Sequence, residues 1–144
     1  MKTDVKQIRK IAVTGGWGFI GSRFVISVLK NTGYHVKVID SRTYAADTAR
    51  VYDHLTTEDL FRLETSNKDI CDVTPQDLRN CDYVVNFAAE SHVDNSIKDG
   101  GPFIKSNIEG TFNLLQCVRR KKIEKFVQIS TDEVYGDMAD LRGR

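Results

Sequence analysis

Val13-Thr14-Gly15-Gly16-Trp17-Gly18-Phe19-Ile20-Gly21 is the stretch on which the reading of this chain turns. An apolar run from Lys10 to Val13 enters it as a strand. Ile20, Phe24, Val25, Val28 and Leu29 leave it at helical spacing, and Gly33 is expected to end that helix. Gly16, Gly18 and Gly21 match G-x-G-x-x-G, while Gly15, Gly18 and Gly21 equally match T-G-x-x-G-x-x-G. Such glycines make a tight turn, admit a pyrophosphate close to the backbone and let helix and strand approach. The helix that follows offers free N–H groups and a positive dipole end to an anion. A second apolar run, Val36 to Ile39, ends in Asp40, 19 positions past Gly21. An acid at that distance, closing a strand, is placed to hold ribose hydroxyls. Arg42 stands two residues further on, but Asp40 repels a 2′-phosphate, so NAD is expected over NADP.

The composition sets bounds on this reading. With 144 residues the chain is expected to form one dinucleotide-binding domain over 1–144, and its 40% hydrophobic and 28% charged content is ordinary for a globular protein. A net charge of +1 gives no electrostatic case for nucleic acid or an anionic membrane. Met1 to Lys10 lacks the apolar run of a signal peptide, and no stretch is long and apolar enough to cross a bilayer. Cys71, Cys81 and Cys117 have neither C-x-x-C nor metal-ligand spacing. They read as reduced structural thiols, which favours a cytoplasmic location and no metal.

Outward from the glycine turn, the chain alternates strand and helix. Strands are expected at 10–14, 35–39, 61–64, 82–87 and 125–130. Helix one spans 20–32, and a short helix is expected near Thr57 to Leu60. Thr74-Pro75-Gln76-Asp77 has the form of a helix start, with a Thr cap, Pro in the first turn and an acid three residues on. The longest helix follows Gly100-Gly101-Pro102, with Phe103, Ile104, Ile108, Phe112, Leu115 and Val118 as its inner stripe. Gly110 costs that helix about 1 kcal/mol against Ala, which implies a packing reason for it. The alternation predicts an α/β, Rossmann-type doubly wound parallel sheet in the order 3-2-1-4-5. The polar clusters then gather at the C-terminal ends of the strands, where open α/β sheets bind ligands.

Two clusters there go beyond holding a dinucleotide. Ser91-His92 follows strand four, where a loop serine capping a turn is the plainer reading. Thr131-Asp132-Glu133 follows strand five, where a helix cap with acids in its first turn is the plainer reading. An adjacent Asp and Glu beside the nicotinamide end can also divide acid and base work if their environments separate their pKa values.

TGGWGFIGS, IDSRTYA, DICD, NFAAESHVDNSI, FIKSNIEGT and QISTDEVYGD together resemble the extended short-chain dehydrogenase/reductases, and among them the nucleotide-sugar 4,6-dehydratases. The resemblance runs from about residue 10 to the end. It implies that Phe19, Ile20, Asp40, Arg42, Thr43, Asp69, Ile70, Ala88, Ala89 and Ser106 contact NAD. It puts Ser91, Asn107 and Thr131 near the hexose, with dTDP-glucose the expected substrate and a UDP- or GDP-sugar dehydratase or epimerase as the alternative. It further implies oxidation at C4 of the sugar, removal of the C5 proton by Glu133 and protonation of the departing C6 hydroxyl by Asp132. Hydride then returns to C6, regenerating NAD. Asn95 stands where that pattern usually has Arg.

The pattern's Tyr-x-x-x-Lys is due some twenty-odd residues after Thr131-Asp132-Glu133, whereas Tyr135 is followed by Ala at 139. The chain is therefore expected to be the cofactor-binding half, truncated before the Tyr-x-x-x-Lys helix, with the substrate lobe absent. The alternative is a catalytically incomplete dinucleotide-binding module or split-gene subunit, whose site another chain completes or which stays incomplete. An incompletely covered fifth strand, with Phe126, Val127 and Ile129, and the long helix are expected to drive homo-oligomerisation or pairing with a complementing chain.

Overall fold

The computed structural model describes residues 9–91 and 99–136, with the backbone alone at Glu133. Its elements are β1 (Lys10–Thr14), α1 (Phe19–Asn31), β2 (His35–Asp40), α2 (Ala49–Tyr52), α3 (Thr57–Leu60), β3 (Leu63–Asn67), β4 (Tyr83–Asn86), the long helix α4 over residues 101–121, and β5 (Lys125–Gln128). The strands form one sheet in the order β3-β2-β1-β4-β5, and every neighbouring pair is parallel. This is the Rossmann-type order expected from the alternation.

Side-chain alternation along the strands divides the core into two layers. Ile11 and Val13 of β1, Val36 and Val38 of β2 and Val85 of β4 pack with Val25, Val28 and Leu29 of α1 and with Trp17. On the other face Ala12, Ile39 and Val84 pack with Val73, Leu78, Leu114 and Cys117. Each of these three central strands is thus buried from both sides, as parallel strands covered by helices must be.

Three local expectations are corrected. Helix α1 ends at Asn31 and is capped by Thr32 rather than stopped by Gly33: the Thr32 hydroxyl donates to the Val28 carbonyl (2.7 Å) and accepts the Tyr34 N–H (3.1 Å). The third strand begins at Leu63, not Phe61. The cause lies in Arg62, whose guanidinium donates to the Thr32 (2.7 Å) and Leu29 carbonyls at the end of α1 and to Asp59 (2.9 Å), which holds residues 61–62 in a turn. The Thr74 start does form, with the Asp77 carboxylate taking both the N–H and the hydroxyl of Thr74 (2.7 Å each). It opens a single 3-10 turn, Pro75–Leu78.

The largest correction concerns α4. It runs through Gly101–Phe103, Ile104–Gly110 and Thr111–Lys121, and the middle segment is wound as a π-helix. Its buried residues are Gly110, Leu114 and Cys117. Ile104, Ile108, Phe112 and Leu115, expected inside, are instead 56%, 63%, 62% and 42% exposed. Periodicity locates an apolar stripe but not the side on which a partner lies. Here the helix turns its glycine inward: a Cβ on Gly110 would lie 2.5 Å from Ile70 Cγ1, so the smallest side chain marks the packed face. Val127 in β5 and Ile129 just beyond it are also exposed, as anticipated, whereas Phe126, expected with them, packs against the second core layer.

Candidate functional site

A cleft of about 250 Å3 opens along the C-terminal ends of the strands. Its floor begins at the glycine turn. Gly15 has φ +66°, a left-handed conformation, and its N–H donates to the Ile39 carbonyl (3.0 Å). A Cβ on Gly21 would lie 2.2 Å from the Gly15 carbonyl oxygen, so only glycine lets the first turn of α1 close on the loop. No side chain caps α1, and no acid occupies its first turn. The opening N–H groups are therefore left for an anion from outside the helix.

Asp40, at the end of β2, is only 8% exposed and lines the cleft. Its Oδ2 accepts the Trp17 N–H (3.0 Å) and its Oδ1 the Arg42 N–H (2.8 Å). The carboxylate thus holds the glycine loop and the left-handed Arg42 (φ +54°) while turning toward the cleft. Trp17 is fully buried and stacks on Tyr52 at 5.6 Å.

The β4 side is set by a polar row that is buried at Thr14 and Asn86 and reaches the surface at Gln128. Thr14, Asn86 and Gln128 stand in register on β1, β4 and β5. Asn86 Oδ1 accepts from the Thr14 hydroxyl and from the Ala88 N–H (3.1 Å), and its Nδ2 donates to Gln128 Oε1 (2.8 Å). That row fixes where the chain leaves β4 toward Ala88, Ala89 and Glu90. Asn107 of α4 then clasps Glu90 by both backbone groups: the Glu90 N–H donates to Asn107 Oδ1 (2.8 Å) and Asn107 Nδ2 to the Glu90 carbonyl (2.9 Å).

Of the residues expected to hold a cofactor, Gly15, Gly18, Asp40, Thr43, Asp69, Ile70, Ala88, Ala89 and Ser106 all line this cleft. Phe19 and Ile20 open α1 with exposed side chains, and Arg42 points its backbone, not the cleft wall, at Asp40. Ser91 follows Glu90 and is exposed. Thr131 and Asp132 follow β5 on the same sheet edge, exposed and outside the cleft wall. His92, Asn95 and the Glu133 side chain lie outside the described residues.

Lys68 and Glu90 also line the cleft and were not anticipated. Lys68 immediately precedes Asp69 and Glu90 immediately follows Ala89, and this adjacency to residues already singled out was the available signal. Lys68 Nζ donates to both Asp77 oxygens (3.0 and 2.9 Å). Burial pushes Asp77 up, but Lys68 and Thr74 outweigh it and hold the carboxyl below its ordinary range. Asp69 Oδ1 accepts the Cys71 N–H (2.8 Å) and so opens the turn that carries Ile70. The Cys71 thiol is pushed up to about 11, first by burial and then by Asp69, and burial does the same to Cys81. Neither is a nucleophile near neutral pH. No helix among the described residues is long and apolar enough to cross a membrane.

An open parallel sheet, a glycine turn feeding an uncapped helix and an acid closing β2 define a Rossmann-type dinucleotide fold. The chain belongs to the NAD dependent epimerase/dehydratase family, which it matches over residues 11–143. It is 42% identical over 130 residues to a dTDP-glucose 4,6-dehydratase of Mycobacterium tuberculosis, covering 90% of this chain and 38% of that protein. DesIV, a dTDP-glucose 4,6-dehydratase from Streptomyces venezuelae crystallised with NAD, superposes with a TM-score of 0.80 at 40% identity, covering 90% of this chain and 41% of that one. A UDP-glucuronic acid 4-epimerase from Bacillus cereus, crystallised with UDP-glucuronic acid and NAD, superposes with a TM-score of 0.77 at 35% identity, covering 89% and 42%. The chain thus spans about two fifths of the length of these relatives.

Proposed function

We propose that this chain is the NAD-holding part of a nucleotide-sugar 4,6-dehydratase, with dTDP-glucose as its substrate. NAD, when bound, supplies a hydride acceptor that later returns the hydride. The chain's residues do the rest. The N–H groups of Phe19, Ile20 and Gly21 at the start of α1 hold the pyrophosphate, and Gly15 and Gly18 let it approach. Asp40 accepts the adenine ribose hydroxyls, with Arg42 and Thr43 beside it. Asp69 and Ile70 border the adenine, while Ala88, Ala89 and Ser106 flank the nicotinamide half. Ser91 and Thr131 belong to the sugar side, and Asn107 acts there by holding the 88–91 loop.

The observation that carries the dehydratase reading is the adjacent Asp132 and Glu133 at the end of β5, on the same sheet edge as the dinucleotide cleft. Glu133 is assigned to remove the C5 proton, and Asp132 to protonate the C6 hydroxyl as it leaves. Elimination needs that acid–base pair, whereas inversion at C4 does not. The test is Asp132→Asn and Glu133→Gln in the protein that turns over dTDP-glucose. Elimination should slow by about 10²–10⁴-fold, with C4 oxidation spared and reduced nicotinamide accumulating in absorbance. Dehydration at the parental rate would remove both residues from the mechanism.

A second reading, a nucleotide-sugar 4-epimerase, is favoured by the exposure of Asp132 outside the cleft wall and by the likeness to the Bacillus cereus enzyme. A product that keeps its C6 hydroxyl would establish it. In either case the exposed Ile104, Ile108, Phe112 and Leu115 of α4 supply an apolar face for a second copy or a complementing chain. Sedimentation at micromolar concentration reports it.

A further inference from the structure

The two loops that flank the cleft are joined across it. Tyr44, in the loop after β2, donates its hydroxyl to Glu90 Oε1 (2.7 Å) in the loop after β4, although 46 residues separate them. Thr43, Ala45 and Ala46 line one side of the cleft, and Ala88, Ala89 and Glu90 line the other. Tyr44 itself is 66% exposed and does not line the wall. Its ring therefore bridges the outer side of the opening while its neighbours face inward.

The two anchor points differ in how firmly they are held. Glu90 has both backbone groups bound by Asn107, on the π-wound part of α4, so its carboxylate stands on a fixed post. The Tyr44 loop is tied at its far side, where the Asp47 N–H donates to the Trp17 carbonyl (3.0 Å) and the Ala46 N–H to Thr43 (3.0 Å). The first of these bonds connects the loop to the glycine turn itself, and the second closes a turn within the loop. A charged acceptor gives the Tyr44–Glu90 bond more strength than a neutral pair, and exposure to water reduces it.

We propose that Tyr44 and Glu90 form a clasp over the dinucleotide cleft, which must open for the cofactor to enter or leave. This rests on the dinucleotide reading of the cleft. Neither residue takes part in the chemistry. Their effect is on the rate of exchange, because a molecule lying along the glycine turn between the two loops passes beneath the bridge.

The test is made on the purified chain with NAD⁺ and NADH, read through the fluorescence of Trp17, the single tryptophan, and of the bound nicotinamide. Equilibrium titration of the parent comes first. Failure of the parent to bind refutes the dinucleotide reading and the clasp with it. Given binding, Tyr44→Phe and Glu90→Ala should each release the dinucleotide at least about fivefold faster, and association should quicken too. The double variant should release no faster than either single one, because both lose the same bond. Glu90→Gln keeps an acceptor oxygen and should recover most of the parental rate, an outcome that general loop damage would not give. Tyr44→Phe removes one exposed oxygen, so its melting temperature should stay at the parental value. Release rates unchanged in both single variants, or additive in the double, would overturn the clasp while leaving dinucleotide binding intact.

Discussion

Replacing Asp40 by Ala tests whether this one carboxylate does two jobs. It accepts the Trp17 N–H at 3.0 Å and the Arg42 N–H at 2.8 Å from a position only 8% exposed. Hydrogen bonds to a charged group contribute about 1.5–3 kcal/mol each. The Arg42 N–H lies at the exposed rim and regains water when the acid is lost, so its share falls at the low end. Trp17 is fully buried, and its N–H is left without its acceptor. The two together give a loss of about 2–4 kcal/mol, a large part of the ~5–15 kcal/mol that holds a domain folded. Asp40→Asn fares little better, because turning its amide to keep one bond sets an NH₂ against the other donor. Urea unfolding followed by Trp17 fluorescence measures this term. Calorimetric titration of the folded fraction measures a second, a weakening of NAD⁺ binding by about 1–3 kcal/mol from the lost ribose bonds. If Asp40 holds the ribose hydroxyls as proposed, the same titration with NADP⁺ should show weaker binding to the parent, because a carboxylate repels a 2′-phosphate. An unchanged unfolding midpoint, or equal affinity for the two dinucleotides, would refute the dual role.

Gly110→Ala gains about 1 kcal/mol of helix propensity but drives a methyl to 2.5 Å from Ile70 Cγ1. The net loss should be about 1–2 kcal/mol, within the usual cost of overpacking. Combined with Ile70→Ala in a double-mutant cycle, it should cost less than the sum; additivity in urea midpoints would disprove the contact. Asp59 is held far below the usual carboxylate range by Lys30 (2.8 Å) and then by the Thr56 N–H and hydroxyl. A lowered folded-state pKa contributes stability that is present above about pH 4, the unfolded value, and is lost as pH falls below it. Unfolding midpoints should therefore drop between pH 5 and pH 3 in the parent and drop less in Asp59→Asn. Cys71 and Cys81, both pushed up to about 11, should be alkylated at pH 8 at least about tenfold more slowly in the native chain than in urea, because the thiolate is the reactive form. Equal rates would show the burial to be wrong.

The glycine turn and the strands around it were legible because each carries a local physical constraint. Gly15 must take a positive φ, β1 reads KIAVT, and Asp40 closes a run of buried β-branched residues. The sheet order followed from the alternation and the handedness of crossovers. What escaped the sequence was direction. Ile104, Ile108, Phe112 and Leu115 make as good a stripe as Leu114 and Cys117, and only the approach of Gly110 to Ile70, some 40 residues away, selects the inner face. The cleft was legible for the same reason as the sheet, since its residues follow strand ends. The Tyr44–Glu90 contact was not, because it depends on how two loops lean toward each other. Asn107 shows a related limit. Nothing in the sequence shows that both of its side-chain groups bind the Glu90 backbone, because that contact joins residues 17 positions apart.

The position of β1 also governs how this chain can be made. It lies in the middle of the sheet, and Thr14 waits for Asn86, 72 residues later, before its second edge is covered. At ribosomal rates of roughly 5–20 residues per second, that interval is about 4–14 s. From residue 67 onward, β1, β2 and β3 can pair while one long side of β1 stays bare, with KIAVT offering its backbone to any passing strand. The three polar residues that later line up across β1, β4 and β5 cannot guard it, because two of them do not yet exist. The nascent chain is thus most vulnerable to mispairing during the synthesis of residues 68–86, and a holdase engaged over that window protects the strand on which the whole sheet is built.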